Sequence, residues 1–235
     1  NGDDDKLSTV GTVHGIEPVH FGLDATNEYY ADEIESQGFR GISCRIHTPQ
    51  GEFTALIPIP GRHMVYNALA GTAVGCTYGL TLEQIKQGIE TLQSVSGRFH
   101  IIETGRYTVV DDCYNANPVS MKASLDVLKE AKGRKVAVLG DMGELGTDEA
   151  ALHAEVGIHA GTCGIDALYC AGPLCEYLAK AAKEADPKLE IRHLADRESL
   201  MAELPQLLQD GDQILVKASH FMEYGKIVEM LSVEK

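Results

Sequence analysis

The sequence has few basic residues and no long apolar run, and each shortage excludes a class of protein. Its 20 lysines and arginines are outnumbered by 35 aspartates and glutamates, which gives a formal net charge of −15 at pH 7. This charge repels polyphosphate backbones and argues against nucleic-acid binding, although a small phosphorylated ligand can still bind. No apolar segment approaches the roughly 20 residues that a membrane-spanning helix needs, so we expect no membrane insertion.

Sorting and metal-binding signals are also missing. The first residues, NGDDDKLSTV, lack the basic and apolar regions of a signal peptide. The six cysteines form no CxxC pair and show no zinc-type spacing, so we interpret them as reduced thiols and expect no metal site in this chain. Together these absences predict a cytosolic protein.

What is present is the composition of a globular protein. Hydrophobic residues make up 44% of the sequence and charged residues 23%, close to the averages for globular domains. A chain of 235 residues is long enough for one large domain or two smaller ones. We favour two domains, residues 1–96 and 97–235, because Ser94 to Gly97 has the composition of a linker.

The first domain is predicted to combine strands and helices. Short β-type runs broken by Gly, Pro and Asn predict antiparallel strands, or the edge of a mixed sheet, at residues 13–21, 38–47 and 52–58. The polar segment 24–37 is interpreted as a connection that carries a short strand. Helices are expected at 64–78 and 81–92. Thr81 suits the N-cap of the second, and Gln84 completes a capping box.

The second domain is predicted to be α/β, with a Rossmann-like, doubly wound parallel sheet. A buried strand at 107–110, a polar turn, a helix that begins near Pro118 and a second apolar strand at 134–139 form a βαβ unit. Strands and helices continue to alternate as far as residue 231. The glycines of GDMGELG have GxxGxxG spacing rather than GxGxxG, which disfavours a dinucleotide-binding fold.

The turn after the first strand of this unit carries the residues best suited to a ligand. Asp112 stands at the carboxyl end of a strand, where parallel sheets present ligand-binding residues. Tyr114, Asn115 and Asn117 follow it, and the amides can donate to phosphate or carboxylate oxygens. An Asx-turn and helix cap is the alternative interpretation, and both can hold at once. Asp111 is expected to orient the turn.

Four motifs resemble the Mur ligases. DDCYNANPVSM followed by KVAVLGDMGELG is similar to their C-terminal domain, PGRHMVYNALAG to the helix that the family places beside the adenine of ATP, and ILVKASHFME to their last strand and turn. The resemblance implies an ATP-dependent ligase that forms an amide bond through an acyl phosphate. YNANPVSM and GDMGELG favour the branch that adds D-Ala-D-Ala to UDP-MurNAc-tripeptide. Another amino-acid-adding Mur or folylpolyglutamate-type ligase, and a non-catalytic nucleotide- or dipeptide-binding module, remain alternatives.

The resemblance also implies roles for individual residues, while none is assigned to catalysis. The nucleotide-binding set is His63, Asn67, Arg98, Asp112, Tyr114 and Asn115. The substrate-binding set is Asn117, Asp141, Glu144, Lys217 and Ser219. The sequence departs from the family pattern at Met64, Ala218 and His220.

One family element is absent from this sequence. No GxxxxGK followed by Ser or Thr occurs, although phosphoryl transfer from ATP needs a phosphate cradle and metal ligands. In the family these, and the UDP-binding domain, precede the region that resembles this chain. We therefore expect the later part of the central, mixed α/β ATPase domain (1–96) and the complete C-terminal domain (97–235). ATP and Mg²⁺ are the implied cofactors, and we expect a monomer that is inactive without the preceding region.

Overall fold

The structure is a computed structural model and describes residues 1–233. The chain forms two compact units, Asn1–Gln93 and Ser94–Lys235. The first contains a four-stranded sheet and the second a six-stranded sheet. In the described part of the chain, no helix has both the length and the apolar character needed to cross a membrane.

The first unit packs two helices against a small mixed sheet. Its strands, in spatial order, are β1 (Phe21–Gly22), β2 (Tyr29–Ser36), β3 (Ile42–Thr48) and β4 (Gly51–Ile57). β1 is parallel to β2, and the other pairs are antiparallel. Helices α1 (His63–Thr77) and α2 (Leu82–Glu90) cover one face. Thr81 and Gln84 form the capping box at the start of α2, as the sequence predicted.

Two expectations for this unit need correction. Of residues 13–21, only Phe21 lies in a strand, as the first residue of β1, and Val13 and Ile16 form an isolated bridge; the other side chains of this segment are largely exposed and contribute no buried face to a sheet. The segment 24–37 does carry a strand, as expected, but β2 is eight residues long rather than short. Its register with β3 shifts between Asp32 and Glu35, and this irregularity interrupts the alternation by which a strand is recognised.

The second unit has a mostly parallel sheet. Its strands are β5 (His100–Glu103), β6 (Thr108–Asp111), β7 (Lys135–Gly140), β8 (Ala167–Ala171), β9 (Glu190–Leu194) and β10 (Gln213–Lys217), in the spatial order β5-β6-β10-β7-β8-β9. β5 is antiparallel to β6, and all other pairs are parallel.

Helices cover this sheet on both faces. They are α3 (Pro118–Leu128), α4 (Glu149–Thr162), α5 (Cys175–Ala185), α6 (Arg197–Leu207) and α7 (Gly225–Val233). α6 and α7 place Leu200, Leu204, Ile227 and Leu231 in one buried cluster with strand residues, while α3, α4 and α5 pack against one another. The predicted α/β fold with a doubly wound parallel sheet is therefore confirmed.

The position of β10 determines which loops meet. β10 lies between β6 and β7, with Leu215 paired to Val110 on one side and to Ala137 on the other. Because the three strands are parallel, the loops that follow them emerge at the same edge of the sheet. These loops contain most of the residues predicted to bind ligands.

Candidate functional site

A pocket lies at the carboxyl ends of β6, β10 and β7. Its volume is about 370 Å³, and its lining residues come from the three loops: Tyr114, Asn115, Gly143, Glu144, Ser219, His220 and Phe221. Tyr114 is 51% exposed and Phe221 64% exposed, so aromatic rings stand at its opening. The lining combines an acid, a histidine, an amide and a hydroxyl, a set suited to a small polar ligand.

The turn after β6 is shaped by hydrogen bonds to its own backbone. The Asn117 side chain accepts from the Ser120 N–H at 2.9 Å, and the Ser120 hydroxyl oxygen accepts from the Asn117 N–H at 3.1 Å. Asn117 thus caps α3, which is the alternative role that the sequence left open. Asn115, whose side-chain oxygen accepts from the Ala116 N–H at 2.8 Å, lines the pocket.

Asp111 attaches the segment before β5 to the end of β6. Its Oδ2 accepts from the Gly97 N–H at 2.7 Å and from the Ser96 hydroxyl at 3.1 Å. Its Oδ1 accepts from the Cys113 thiol at 2.9 Å. Asp111 therefore orients the turn, as expected. Burial and this hydrogen bond raise the pKa of Cys113 to about 12, so the thiol stays protonated at neutral pH and is no nucleophile.

Asp112 occupies a crowded, polar position next to the pocket. Its Oδ1 accepts from the Phe99 N–H at 3.1 Å. Its Oδ2 lies 2.6 Å from the Ser124 hydroxyl and 2.7 Å from Nζ of Lys217. The Asp112 side chain retains 14% exposure, whereas that of Lys217 is only 3% exposed. Asp112 is thus accessible at its edge, while Lys217 is enclosed beneath it.

Arg98 and Tyr114 come together at the pocket opening. The Arg98 guanidinium lies 4.1 Å from the centre of the Tyr114 ring, within the range of a cation–π contact. The ring of His220 lies 5.9 Å from that of Tyr114. The Tyr114 N–H donates to the Gly97 carbonyl at 2.9 Å. Because Gly97 directly precedes Arg98, this hydrogen bond holds Arg98 next to Tyr114.

The two acids of the loop after β7 have different environments. Asp141 is buried, and its carboxylate accepts from the Cys175 N–H at 2.8 Å and the Leu174 N–H at 3.3 Å. It therefore holds the first turn of α5 and does not line the pocket. Glu144 does line the pocket. Its φ of 59° lies in the left-handed region, a strained conformation for a non-glycine residue that is often found at functional sites.

The same loop is held from two other sides. Ser219 Oγ accepts from the Gly143 N–H at 2.8 Å and lies 3.4 Å from the Ala116 carbonyl, to which it donates. His153, buried on α4, accepts from the Met142 N–H through Nε2 at 2.9 Å and donates from Nδ1 to the Glu149 carbonyl at 2.7 Å. These partners require the neutral imidazole with its proton on Nδ1.

We predicted no site role for His153, Ser124 or Phe99. His153 and Ser124 lie on helices, and Phe99 acts through its backbone, so no local motif marks them. Their partners are 11, 12 and 13 residues away in the sequence. Only the packing of helix on sheet reveals these contacts.

Two further predicted residues belong to the first unit. His63 is the first residue of α1, and Asn67 stands one turn later, both exposed to solvent. The Asn67 side-chain nitrogen lies 3.3 Å from the sulfur of Met64. Both residues are thus accessible in the first turns of a helix.

Family models match most of the chain. The Mur ligase middle domain matches residues 1–75, and the domain described as "Mur ligase, glutamate ligase domain" matches residues 97–220. The chain belongs to the Mur ligase family. The resemblance seen in the four sequence motifs is thereby confirmed.

Individual Mur ligases show how far this similarity extends. The chain is 36% identical over 235 residues to the UDP-N-acetylmuramoyl-tripeptide--D-alanyl-D-alanine ligase of Escherichia coli K12, covering 98% of this chain and 51% of that protein. It is 33% identical to the Bacillus subtilis 168 protein of the same name, covering 90% of this chain and 46% of that protein. The chain thus spans about half the length of the curated relatives it matches.

Solved Mur ligase structures have the same fold. A crystal structure of MurF from Acinetobacter baumannii matches with a TM-score of 0.79 at 30% identity, covering 90% of this chain and 46% of that one. MurF from Thermotoga maritima, solved in complex with ADP, matches with a TM-score of 0.80 at 24% identity, covering 99% of this chain and 52% of that one. At this lower identity the second match supports the fold alone.

Proposed function

We propose that this chain is the later part of an ATP-dependent ligase that adds D-Ala-D-Ala to UDP-MurNAc-tripeptide during peptidoglycan precursor synthesis. Three strand ends converge on one pocket, whose lining contains both an acid and neutral or basic polar groups. This observation carries the proposal. It is supported by relatives of that name at 33–36% identity. We assign residues 1–96 to the central domain and 97–235 to the C-terminal domain.

The pocket is proposed to receive the dipeptide. A dipeptide carries an ammonium group at one end and a carboxylate at the other. Glu144 can accept from the ammonium, while His220 and Asn115 provide polar groups toward the carboxylate. Ser219, which accepts from the Gly143 N–H and donates to the Ala116 carbonyl, anchors the loop that carries Glu144. The opening between Tyr114 and Phe221 suits a ligand that also has small apolar groups. Asn117 and Asp141 support this site from outside its lining.

A nucleotide site is proposed beside the pocket. Asp112 retains accessible carboxylate surface for a ribose hydroxyl. Arg98 and Tyr114 present a guanidinium and an aromatic ring, both able to contact a base or a phosphate. Asp112, Arg98 and Tyr114 fit a nucleoside. For His63 and Asn67, in the first unit, we propose nucleotide contacts on the family resemblance alone. The phosphate cradle and the ligands of Mg²⁺ are expected in the region that precedes this sequence in its relatives.

The role of this chain in the reaction is one of orientation. In the proposed reaction, a substrate carboxylate takes the terminal phosphoryl group of ATP and forms an acyl phosphate and ADP. The dipeptide amine then attacks the acyl carbon, loses a proton, and displaces inorganic phosphate. Holding the amine and the nucleotide in fixed positions makes such a step effectively intramolecular. We propose that the enzyme is a cytoplasmic monomer and that this chain alone does not turn over substrate.

The test is a coupled phosphate-release assay on the protein encoded by the whole reading frame. ATP, Mg²⁺ and UDP-MurNAc-tripeptide are supplied with either D-Ala-D-Ala or single amino acids. We expect phosphate release that requires the dipeptide and falls sharply in Asp112→Ala. Turnover with a single amino acid alone would reassign the substrate. No turnover from folded protein with any amine would favour a binding module.

A further inference from the structure

Lys217 has no free proton with which to bind a ligand. Its Nζ lies 2.7 Å from Oδ2 of Asp112, 3.1 Å from the Asn115 carbonyl and 3.4 Å from the Asp112 carbonyl. A lysine ammonium has three N–H donors, and these three acceptors match them one for one. With 3% of its side chain exposed, Lys217 is also shielded from anything that enters the pocket.

The Asp112 carboxylate is correspondingly restricted. An ionised carboxylate can accept about four hydrogen bonds. Lys217 and Ser124 occupy Oδ2, and the Phe99 N–H occupies one position on Oδ1. Ser124 has a single hydroxyl proton and also lies 2.8 Å from the Ser120 carbonyl; the charged carboxylate at 2.6 Å is the stronger acceptor. One acceptor position remains, on Oδ1.

We propose that Lys217 is a positioning residue, which fixes the Asp112 carboxylate so that its one remaining acceptor position faces a nucleotide hydroxyl, and that it does not bind the substrate carboxylate. This rests on the nucleotide role proposed above for Asp112. A carboxylate that is held on both oxygens cannot rotate to satisfy itself elsewhere. The ribose therefore meets an acceptor that is already oriented.

The same lysine also fixes the neighbouring nucleotide contact. Asp112 binds the Phe99 N–H, and Phe99, with a left-handed φ of 50°, directly follows Arg98. Lys217 also holds the Asn115 carbonyl. Its ammonium thus secures both chain segments that approach the proposed nucleotide site. Loss of the ammonium should loosen Arg98 and Asp112 together.

The experiment is a double-mutant cycle on the protein encoded by the whole reading frame. Binding of a non-hydrolysable ATP analogue is measured for the wild type, Lys217→Met, Asp112→Asn and the double variant, with KM for D-Ala-D-Ala in parallel. Lys129→Met is the matched control, because it removes an exposed lysine paired with Asp126 in the same unit. The control should change neither constant.

We expect Lys217→Met to weaken analogue binding about tenfold, since it removes a charged hydrogen-bond donor from the group that meets the ligand. The double variant should bind the analogue about as tightly as whichever single variant has the lower affinity, because the two residues act as one unit. KM for the dipeptide should stay within about twofold of the wild type. A merely structural role would not separate the two ligands in this way.

Two results would overturn the proposal. One is a rise in dipeptide KM with analogue binding intact, which would place Lys217 in contact with the substrate. The other is independent, additive losses of analogue binding in the cycle. Failure of the proposed function is read separately, as the absence of dipeptide-dependent phosphate release by the wild type. The binding cycle is measured without any amine and is interpreted on its own.

Ser124→Ala provides a second, milder variant in case Lys217→Met does not fold. It removes the other side-chain donor to Oδ2 and leaves the ammonium in place. Analogue binding should weaken about threefold, in the range of one hydrogen bond, with dipeptide KM unchanged. Wild-type analogue binding by this folded variant would also contradict the proposal, because the orientation of Asp112 would then not depend on its supports.

Discussion

In the second unit, buried charges have different roles at the amino ends of the parallel strands (the amino edge of the sheet) and at their carboxyl ends (the carboxyl edge). At the amino edge, Arg134 lies 2.8 Å from Oδ2 of Asp212, 2.7 Å from the Tyr169 hydroxyl and 3.0 Å from Glu190. Tyr169 in turn donates to Glu190 at 2.7 Å. These groups connect the starts of β7, β9 and β10 and the interior of β8. The network serves the fold, although Oδ1 of Asp212 has no hydrogen-bond partner among the described residues.

At the carboxyl edge, by contrast, the buried ion pair of Lys217 and Asp112 holds backbone turns and leaves acceptor surface facing outward. The pocket lies at this edge. The comparison shows that a buried charge has no fixed meaning. A charge enclosed by other side chains ties strands together, whereas a charge enclosed by a turn shapes the surface that meets a ligand. The predictions below test this division.

The largest effect is expected at the amino edge. Arg134→Met should lower the free energy of unfolding by about 3 kcal/mol at pH 7, because it leaves the Asp212 carboxylate buried without a cation. Lys129→Met, which breaks an exposed pair, should cost under about 1 kcal/mol. Urea unfolding followed by circular dichroism measures both, since the chain has no tryptophan. A change in the KM for D-Ala-D-Ala in Arg134→Met would contradict the division, because the amino edge would then also affect the ligand.

The pH dependence of this variant provides an internal check. Burial raises the pKa of Asp212, with the Gln209 N–H and Arg134 opposing it. Because the folded-state pKa is above that of the unfolded chain, lowering the pH favours the folded state through this group. Protonated Asp212 needs no cation. The destabilisation by Arg134→Met should therefore be smaller at pH 4 than at pH 7, and an equal loss at both would place its origin elsewhere.

The next effect concerns the end of β7 at the carboxyl edge. A Cβ added at Gly140 would lie 2.7 Å from Cβ of Ala218 and 2.7 Å from Cζ of Tyr224. Gly140→Ala should therefore cost about 1–3 kcal/mol by overpacking and raise dipeptide KM, since Ala218 precedes Ser219. Gly71→Ala on α1, where a Cβ meets nothing within 4 Å, should instead stabilise by about 1 kcal/mol. An unchanged dipeptide KM in Gly140→Ala would show that the end of β7 does not shape the pocket.

A smaller change in stability with a clear change in binding is expected at Ser219. Ser219→Ala removes the acceptor of the Gly143 N–H and should cost about 1 kcal/mol. It should raise KM for the dipeptide, because the loop that carries Glu144 loses an anchor. Ser232→Ala is the control, since its hydroxyl donates to the Val228 carbonyl within α7. Equal KM values for the two variants would refute the role of Ser219.

The smallest effect is electrostatic. Lys226 and then Arg197 lower the pKa of Glu223 from 4.5 to about 2. Because the folded-state pKa is depressed, the stabilisation is present above pH 4.5 and is lost as the pH falls toward about 2. The gap in unfolding free energy between the wild type and Glu223→Gln should close over this window. The effect will be small, because the pair is exposed and screened by solvent. A difference in unfolding free energy that stays constant over this pH range would contradict the prediction.

Local signals in the sequence predicted local structure well. Thr81 and Gln84 form their capping box, and Pro118 begins α3, because each depends on residues within one helical turn. The same reasoning underestimated the length of β2, where the register shift near Asp32 interrupts the alternation. It failed over most of residues 13–21, where only Phe21 pairs with a neighbouring strand.

The site was predicted only in part, because its chemistry depends on distant partners. Glu144 and Asn115 were expected at a ligand site and do line the pocket. Lys217 was identified from a motif, but its partners are about a hundred residues earlier in the chain, and no spacing rule indicates that Asp112 encloses it. The Arg134 network joins four sequence segments in the same way. Such contacts exist only once the strand order is known.

The placement of β10 has a consequence for biosynthesis. β10 follows every other strand of its sheet in the sequence, yet it occupies a central place between β6 and β7. A ribosome that adds about 5–20 residues per second delivers β6 several seconds before the strand that separates it from β7. Until then these two strands lack a neighbour, and neither Lys217 nor Ser219 has emerged. The edge that carries the pocket is thus assembled last, and a nascent chain cannot present it prematurely.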